Sequence, residues 1–265
     1  MKLFAFLFFI SVPCLFSQEL KPVATLPLQA DKFIGFDNYK QLYFIKDNIL
    51  HKQGSEGVYV YSDFQLGKIA SVDIINPLKI VIFYETVNTV VFVDNRLNEI
   101  ERINFNNLPQ FVTVSTATNA GNNLLWIFNV DTQQLELFDY RSNRKTIVSQ
   151  PFSGKLLSQA SNFNYCFMLT ERMLRAFNVY GSLLSEMEAM NFEKIIQQNE
   201  KVLALKANAL YTIQMLPKEN SEKTIHPIKI ELPENPIKDL QLSQDLLYIY
   251  DGINILTFSL TPPKQ

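Results

Sequence analysis

Six apolar runs recur along this chain at nearly even spacing, and that rhythm constrains the fold more than any other feature. They are LYFI from Leu42, IVIF from Ile80, LLWIF from Leu124, YCFML from Tyr165, VLAL from Val202 and LLYIY from Leu246. The steps between them average roughly 41 residues, and self-similarity at such a period marks a chain built by repeating one supersecondary unit. The unit is clearest over residues 76–105, NPLKIVIFYETVNTVVFVDNRLNEIERINF. Its runs 79–84, 89–93 and 99–105 are rich in Val, Ile and Phe, and the polar stretches 85–88 and 94–98 separate them. β-Branched and aromatic residues in short runs bounded by Asn and Asp read as antiparallel strands joined by tight turns. Residues 68–75 supply a fourth strand ahead of these three.

The flanking features recur in step. A polar turn, usually built on Asn, precedes each marker run: residues 37–38, 76–77 and 119–121, Asn162, Asn199, and residues 244–245. Asn and Asp bond their own backbone and tolerate left-handed conformations, which explains how a turn-rich chain manages with 8 Gly. A third strand follows each marker: ILHKQ, TVVFVD, QLELFD, MLRAFN, ALYTIQ and NILTFS. Three of them continue as VDNRLNEIERI, FDYRSNRKTIV and FNVYGSLLSEM, an apolar pair, then Asp or Asn, then a polar turn and a fourth strand.

Four strands at a period of roughly 40–45 residues is the spacing of a β-propeller blade. Full units span residues 31–63, 64–107, 108–151, 152–191 and 192–235, while 236–260 holds only three strands. The run KPVATLPLQ from Lys21 is a candidate for the missing one. Pairing the first strand into the last blade would close the ring and remove exposed edges. The expectation is therefore all-β: a six-bladed β-propeller with four antiparallel strands per blade, closed by the N-terminal strand joining the last blade. A seven-bladed ring would need blades of about 35 residues, and two β-sandwiches would not share one period. The D-x-x-x-polar-strand rhythm and the six-fold count resemble the six-bladed propellers of the NHL and TolB-like type, and more loosely the YVTN type. The resemblance covers residues 18–265 and implies a fold. It carries no functional residue to any position here, and the usual blade glycines are largely replaced.

The chain opens MKLFAFLFFISVPCLFSQEL, a Lys followed by an apolar run, a Pro and a small residue at Ser17. That is the pattern of a secretory signal, too short to span a bilayer as an anchor. Residues 1–17 are expected to be a signal peptide, with cleavage after Ser17 and residues 18–265 forming one propeller domain, exported to the periplasm or cell envelope. Lipid anchoring at Cys14 is not expected, because Pro13 stands where a lipid-attachment motif wants a small residue. Cys166 is then the single cysteine left, so stability must come from a sizeable core and not from a disulfide. The formal net charge of −2 supplies no footprint for nucleic acid. No later run reaches transmembrane length.

Propellers gather their sites where the inner strands converge on the central channel. The predicted inner strands are 32–36, 69–75, 111–116, 155–160, 193–198 and 237–242, and their polar residues include Asp73, Ser115, Thr116, Ser158, Gln159, Gln197, Gln198, Asp239 and Gln241. Such a set reads first as a water-lined channel whose amides and hydroxyls satisfy one another. Its alternative is a receptor for a small neutral polar ligand. Asp73 and Asp239 could act as an acid and base pair, the basis of a further alternative: a carbohydrate-active or other hydrolytic or lyase enzyme. His51 and His226 fall in different blades on strands away from the channel, and no nucleophile-elbow, zinc, phosphate-loop or calcium-loop motif occurs. No catalytic, cofactor-binding or metal residue is therefore assigned, and no cofactor is expected. Cys166 and Trp126 read as core. The run VYVYSDF over residues 58–64 places Tyr59 and Tyr61 on one face of an outer strand, either packed on the next blade or exposed as an interface. The reading that follows is a non-catalytic exported scaffold whose partner is another envelope protein, with the oligomeric state left open.

Overall fold

The computed structural model describes residues 18–20, 22–55, 57–215, 225–230 and 236–260. Residues 1–17, expected from the sequence to be a signal peptide, lie outside them, and Cys14 with them. The chain enters through two short strands, β1 (Gln18–Leu20) and β2 (Pro22–Pro27). Blade one follows as β3 (Lys32–Phe36), β4 (Leu42–Lys46), β5 (Ile49–Gly54) and β6 (Gly57–Tyr61). Blade two is β7 (Ser71–Asp73), β8 (Ile80–Tyr84), β9 (Thr89–Val93) and β10 (Glu99–Asn104); blade three is β11 (Val114–Gly121), β12 (Leu124–Asn129), β13 (Gln134–Asp139) and β14 (Arg144–Ile147). Blade four is β15 (Leu156–Ser161), β16 (Tyr165–Thr170), β17 (Met173–Asn178) and β18 (Leu183–Glu188). Blade five is β19 (Lys194–Gln198), β20 (Lys201–Lys206), β21 (Ala209–Gln214) and β22 (Ile225–Ile230), and blade six is β23 (Asp239–Ser243), β24 (Leu246–Tyr250) and β25 (Asn254–Ser259).

Within each blade the strands pair in sequence order, and β2 supplies the fourth strand of blade six by pairing antiparallel with β25. The ring is a six-bladed β-propeller closed by its N-terminal strand. Leu28 N–H donates to Ile253 O at 2.9 Å and Tyr250 OH donates to Ala30 O at 2.8 Å, locking the closure. One strand was not anticipated. β1 runs parallel to β22, so blade five has five strands. Three residues are too few to show a period; what holds them is Leu20, buried among Leu203, Leu210 and Leu247.

The core explains why the marker runs are apolar without alternation. A sheet inside a propeller is covered on both faces, so successive side chains go to different neighbours. Ile80, Ile82 and Tyr84 pack against Tyr43, Ile45 and Leu50 of blade one. Val81 and Phe83, between them in sequence, pack against Ala117, Leu125 and Ile127 of blade three. The same division recurs around the ring, with one cluster for each pair of neighbouring blades. Cys166 and Trp126 lie in the cluster between blades three and four, and burial alone pushes the Cys166 thiol well above its ordinary pKa.

The turns use the chemistry read from the sequence, at somewhat shifted positions. Asp47–Asn48, Asn122–Asn123 and Ala207–Asn208 have positive φ at both residues, the geometry of two-residue hairpins. In blade three the inner strand starts later than residue 111 and runs on to Gly121, and the turn follows at Asn122–Asn123. The cause is a register shift between Asn119 and Gly121, where Asn119 Oδ1 accepts from Gly121 N–H at 2.8 Å. The face of β6 is also settled. Tyr61 is buried with its OH donating to Glu99 of blade two at 2.9 Å, and Tyr59 lies under the Lys52 ammonium. The valines alternate outward instead, Val58 at 67% and Val60 at 56% exposure.

Candidate functional site: the central channel

The inner strands β3, β7, β11, β15, β19 and β23 surround a channel of about 490 Å³, to which every blade contributes lining residues. Of the residues singled out from the sequence, Asp73, Ser158, Gln159, Gln197, Gln198 and Gln241 line it. Ser115, Thr116 and Asp239 stand outside the lining. The Ser115 hydroxyl is buried with no hydrogen-bond partner among the described residues.

Most of these side chains join one blade to the next. Thr116 Oγ1 donates to Gln159 Oε1 at 2.5 Å, Gln159 Nε2 donates to Thr118 Oγ1 at 2.8 Å, and the Thr118 and Ser161 hydroxyls meet at 2.6 Å, linking blades three and four. Ser158 accepts from Ile195 N–H at 3.2 Å, and Gln197 Nε2 donates to Ser161 O at 2.7 Å, linking four and five. Gln241 grips blade one with both ends of its amide: Phe36 N–H donates to Oε1 and Nε2 donates to Phe36 O, each at 2.7 Å. Gly35 makes this approach possible, because a Cβ there would lie 2.5 Å from the Gln241 side-chain carbon Cδ.

The two acids serve the same belt. Asp73 Oδ2 accepts from Asn119 N–H of blade three at 2.7 Å, and Oδ1 from Ile75 N–H at 2.9 Å. Burial raises its pKa, against the pull of those two donors. Asp239 Oδ2 accepts from Phe33 N–H of blade one at 3.0 Å, and Oδ1 from the Lys194 ammonium of blade five at 3.0 Å. The structure therefore does not present them as a pair on one cavity: Asp73 lines the channel and Asp239 does not. The sequence reading missed two channel cations, Lys32 and Lys194. Each opens an inner strand, where a Lys at a strand end reads as solvated; only the ring turns both toward the axis. Lys32 Nζ donates to Ala70 O of blade two at 3.0 Å, which completes the circle of inter-blade bonds.

The histidines are elsewhere. His51 lies on β5, stacked on Phe44 with ring centroids 4.8 Å apart, and burial followed by the charge of Lys46 lowers its pKa. His226 lies on β22, the fourth strand of blade five. Among the described residues, no three His, Cys, Asp or Glu side chains gather as a metal site, and no helix is long and apolar enough to cross a membrane.

A closed ring of six blades, each built on four antiparallel strands, around a polar channel defines the class, the six-bladed β-propeller. The sequence matches no protein-family model and no curated protein. Solved structures do share the fold. Virginiamycin B lyase from Staphylococcus aureus is 11% identical with a TM-score of 0.60, over 86% of this chain and 79% of the lyase. The β-propeller domain of Cps50 (Swd1) from Myceliophteria thermophila is 10% identical with a TM-score of 0.61, over 90% of this chain and all of that domain, 100%. PorZ of Porphyromonas gingivalis, described as an essential bacterial surface component of the type-IX secretion system, is 14% identical with a TM-score of 0.50. That match covers 89% of this chain and 38% of PorZ. Likeness at this identity is likeness of fold.

Proposed function

We propose that this chain is an exported, non-catalytic propeller that works as a protein-interaction or scaffold module of a bacterial cell envelope. The observation that carries the reading is the use made of the acids at the ring's centre. Asp73 and Asp239, which a carboxylate-based enzyme would need free, both hold blades together. A propeller also presents loops and blade edges from a stiff ring, which suits it to holding a partner. The outer edge of blade one offers apolar surface for this, with Val58, Val60 and Phe64 exposed, Phe64 at 74%. The envelope setting rests on the signal pattern of residues 1–17, and the likeness to a bacterial surface component, PorZ, agrees with it.

Crosslinking followed by capture of the tagged mature protein from its own cells tests this, with an intact-mass reading of its N-terminus. A stoichiometric envelope partner and a mass beginning at Gln18 are expected. A protein recovered without a partner, or one retaining residues 1–17, would overturn the reading. A second reading is favoured by the channel itself: its volume of about 490 Å³ lies within the range of small-molecule sites. It makes the ring a receptor for a small polar ligand.

A further inference from the structure

We propose that the end of the channel where the inner strands begin is a binding site for an anionic oxygen group, the carboxylate or phosphate of a small polar ligand, held between Lys32 and Lys194. The inference rests on the receptor reading and specifies its ligand. Lys32 opens β3 and Lys194 opens β19, and both line the channel. One carboxylate serves the two of them. Asp239 spends Oδ1 on Lys194 and Oδ2 on Phe33 N–H, each at 3.0 Å, while Lys32 donates to a neutral carbonyl, Ala70 O.

The other acids near these strand starts are turned to loop amides. Asp31 Oδ2 accepts from Asp47 N–H at 2.7 Å, and Glu193 Oε1 from Ala207 N–H at 2.9 Å. Asp73 shares the channel, but both of its oxygens are held by backbone N–H groups, those of Ile75 and Asn119. The charges acting on Lys32 include Asp239, of opposite sign, and Lys194 and Lys68, of its own. Lys32 and Lys194 bring two ammonium groups to this end of the channel beside the Asp239 carboxylate, which bonds Lys194 alone of the two. Lys32, partly desolvated, is met by a neutral carbonyl, a weaker partner for a charge than an anion. Burial, with Lys194 and Lys68 adding to it, holds the Lys32 pKa below its ordinary value despite Asp239, and an arriving anion would relieve that strain. Charge-assisted bonds from two ammonium groups favour a carboxylate or phosphate over a neutral hydroxyl.

The test is NMR of the lysine side chains in the mature protein with labelled Lys, titrated at constant ionic strength with D-galacturonate, inorganic phosphate and D-galactose. Saturable shifts at Lys32 and Lys194 are expected from an acid and not from galactose, with the Lys32 pKa rising on binding. Response to galacturonate alone assigns a carboxylate; response to phosphate alone assigns a phosphoryl group. Lys32→Gln and Lys194→Gln, each checked for folding by its melting curve, should each weaken binding roughly tenfold or more. If neither acid shifts these lysines at tens of millimolar, the anion site is overturned, and the wild-type titration decides this even if a variant misfolds. If galactose binds as well as galacturonate, the receptor reading survives and the anion site does not.

Discussion

Asp94, Asp139 and Asn178 occupy one place in three blades and do one job. Each side-chain oxygen accepts from two backbone N–H groups of the turn between the third and fourth strands: Arg96 and Asn98 for Asp94, Arg141 and Ser142 for Asp139, Tyr180 and Ser182 for Asn178. Because Asn serves in blade four, Asp94→Asn should be nearly neutral, whereas Asp94→Ala should cost about 1–2 kcal/mol, read as a shift in urea midpoint. The bond from Ser142 and the Arg141 N–H hold the Asp139 carboxyl below its usual range. At Asp94 the bonds from Asn98 and Arg96 outweigh burial with the same result. A folded pKa below the unfolded one means stabilisation present above the unfolded value and lost as pH falls through the folded one. Stability should therefore drop on acidification below roughly pH 4, and less steeply in Asp139→Asn. Tyr84 is the opposite kind of residue. It is fully buried, its hydroxyl has no hydrogen-bond partner among the described residues, and burial pushes its pKa up to about 12. Tyr84→Phe removes an unmet polar group, so its melting temperature should equal or exceed that of the wild type.

At the scale of elements, each strand's place in its blade decides what its side chains do. The middle strands are buried on both faces and were legible as unbroken apolar runs such as IVIFY and TVVFV. The inner strands were legible as polar, but their partners were not, since Gln241 and Phe36 are 205 positions apart. Gln241→Ala should cost about 1–2 kcal/mol by losing both bonds to Phe36. Gly35→Ala should cost more, from the clash with Gln241 and from a φ of +147°. The double variant should fall short of the sum of the two, because removing Gln241 removes the clash; additive melting shifts would show that Gly35 matters for its backbone alone. The face of β6 was left open between packing and exposure for a related reason. Alternation gives two faces, and only the position of blade two decides that the tyrosines turn inward, Tyr61 buried and Tyr59 half-buried.

In the whole molecule, the ring is held at its seam by an element almost entirely exposed. Every described side chain of β2 is exposed, yet its backbone completes blade six by pairing with β25. Single substitutions in β2 should therefore be mild. Removing residues 18–27 should lower the unfolding midpoint more than any single substitution above, because it strips the fourth strand from blade six and the fifth from blade five. An unchanged midpoint would mean that blade six stands on three strands.

The repeat period, the blade count, the strand order and the closing strand were determined by the sequence itself. They follow from local patterns, apolar runs and Asx turns, that recur every few tens of residues and need no knowledge of distant partners. Only the tertiary structure decided that Asp73 and Asp239 join blades, that Lys32 and Lys194 share one acid at one end of the channel, and that β1 adds to blade five. Those facts depend on residues far apart in the chain being carried to a common axis. The sum of charges and hydrogen bonds at that axis is a property of the closed ring, which no stretch of the chain contains.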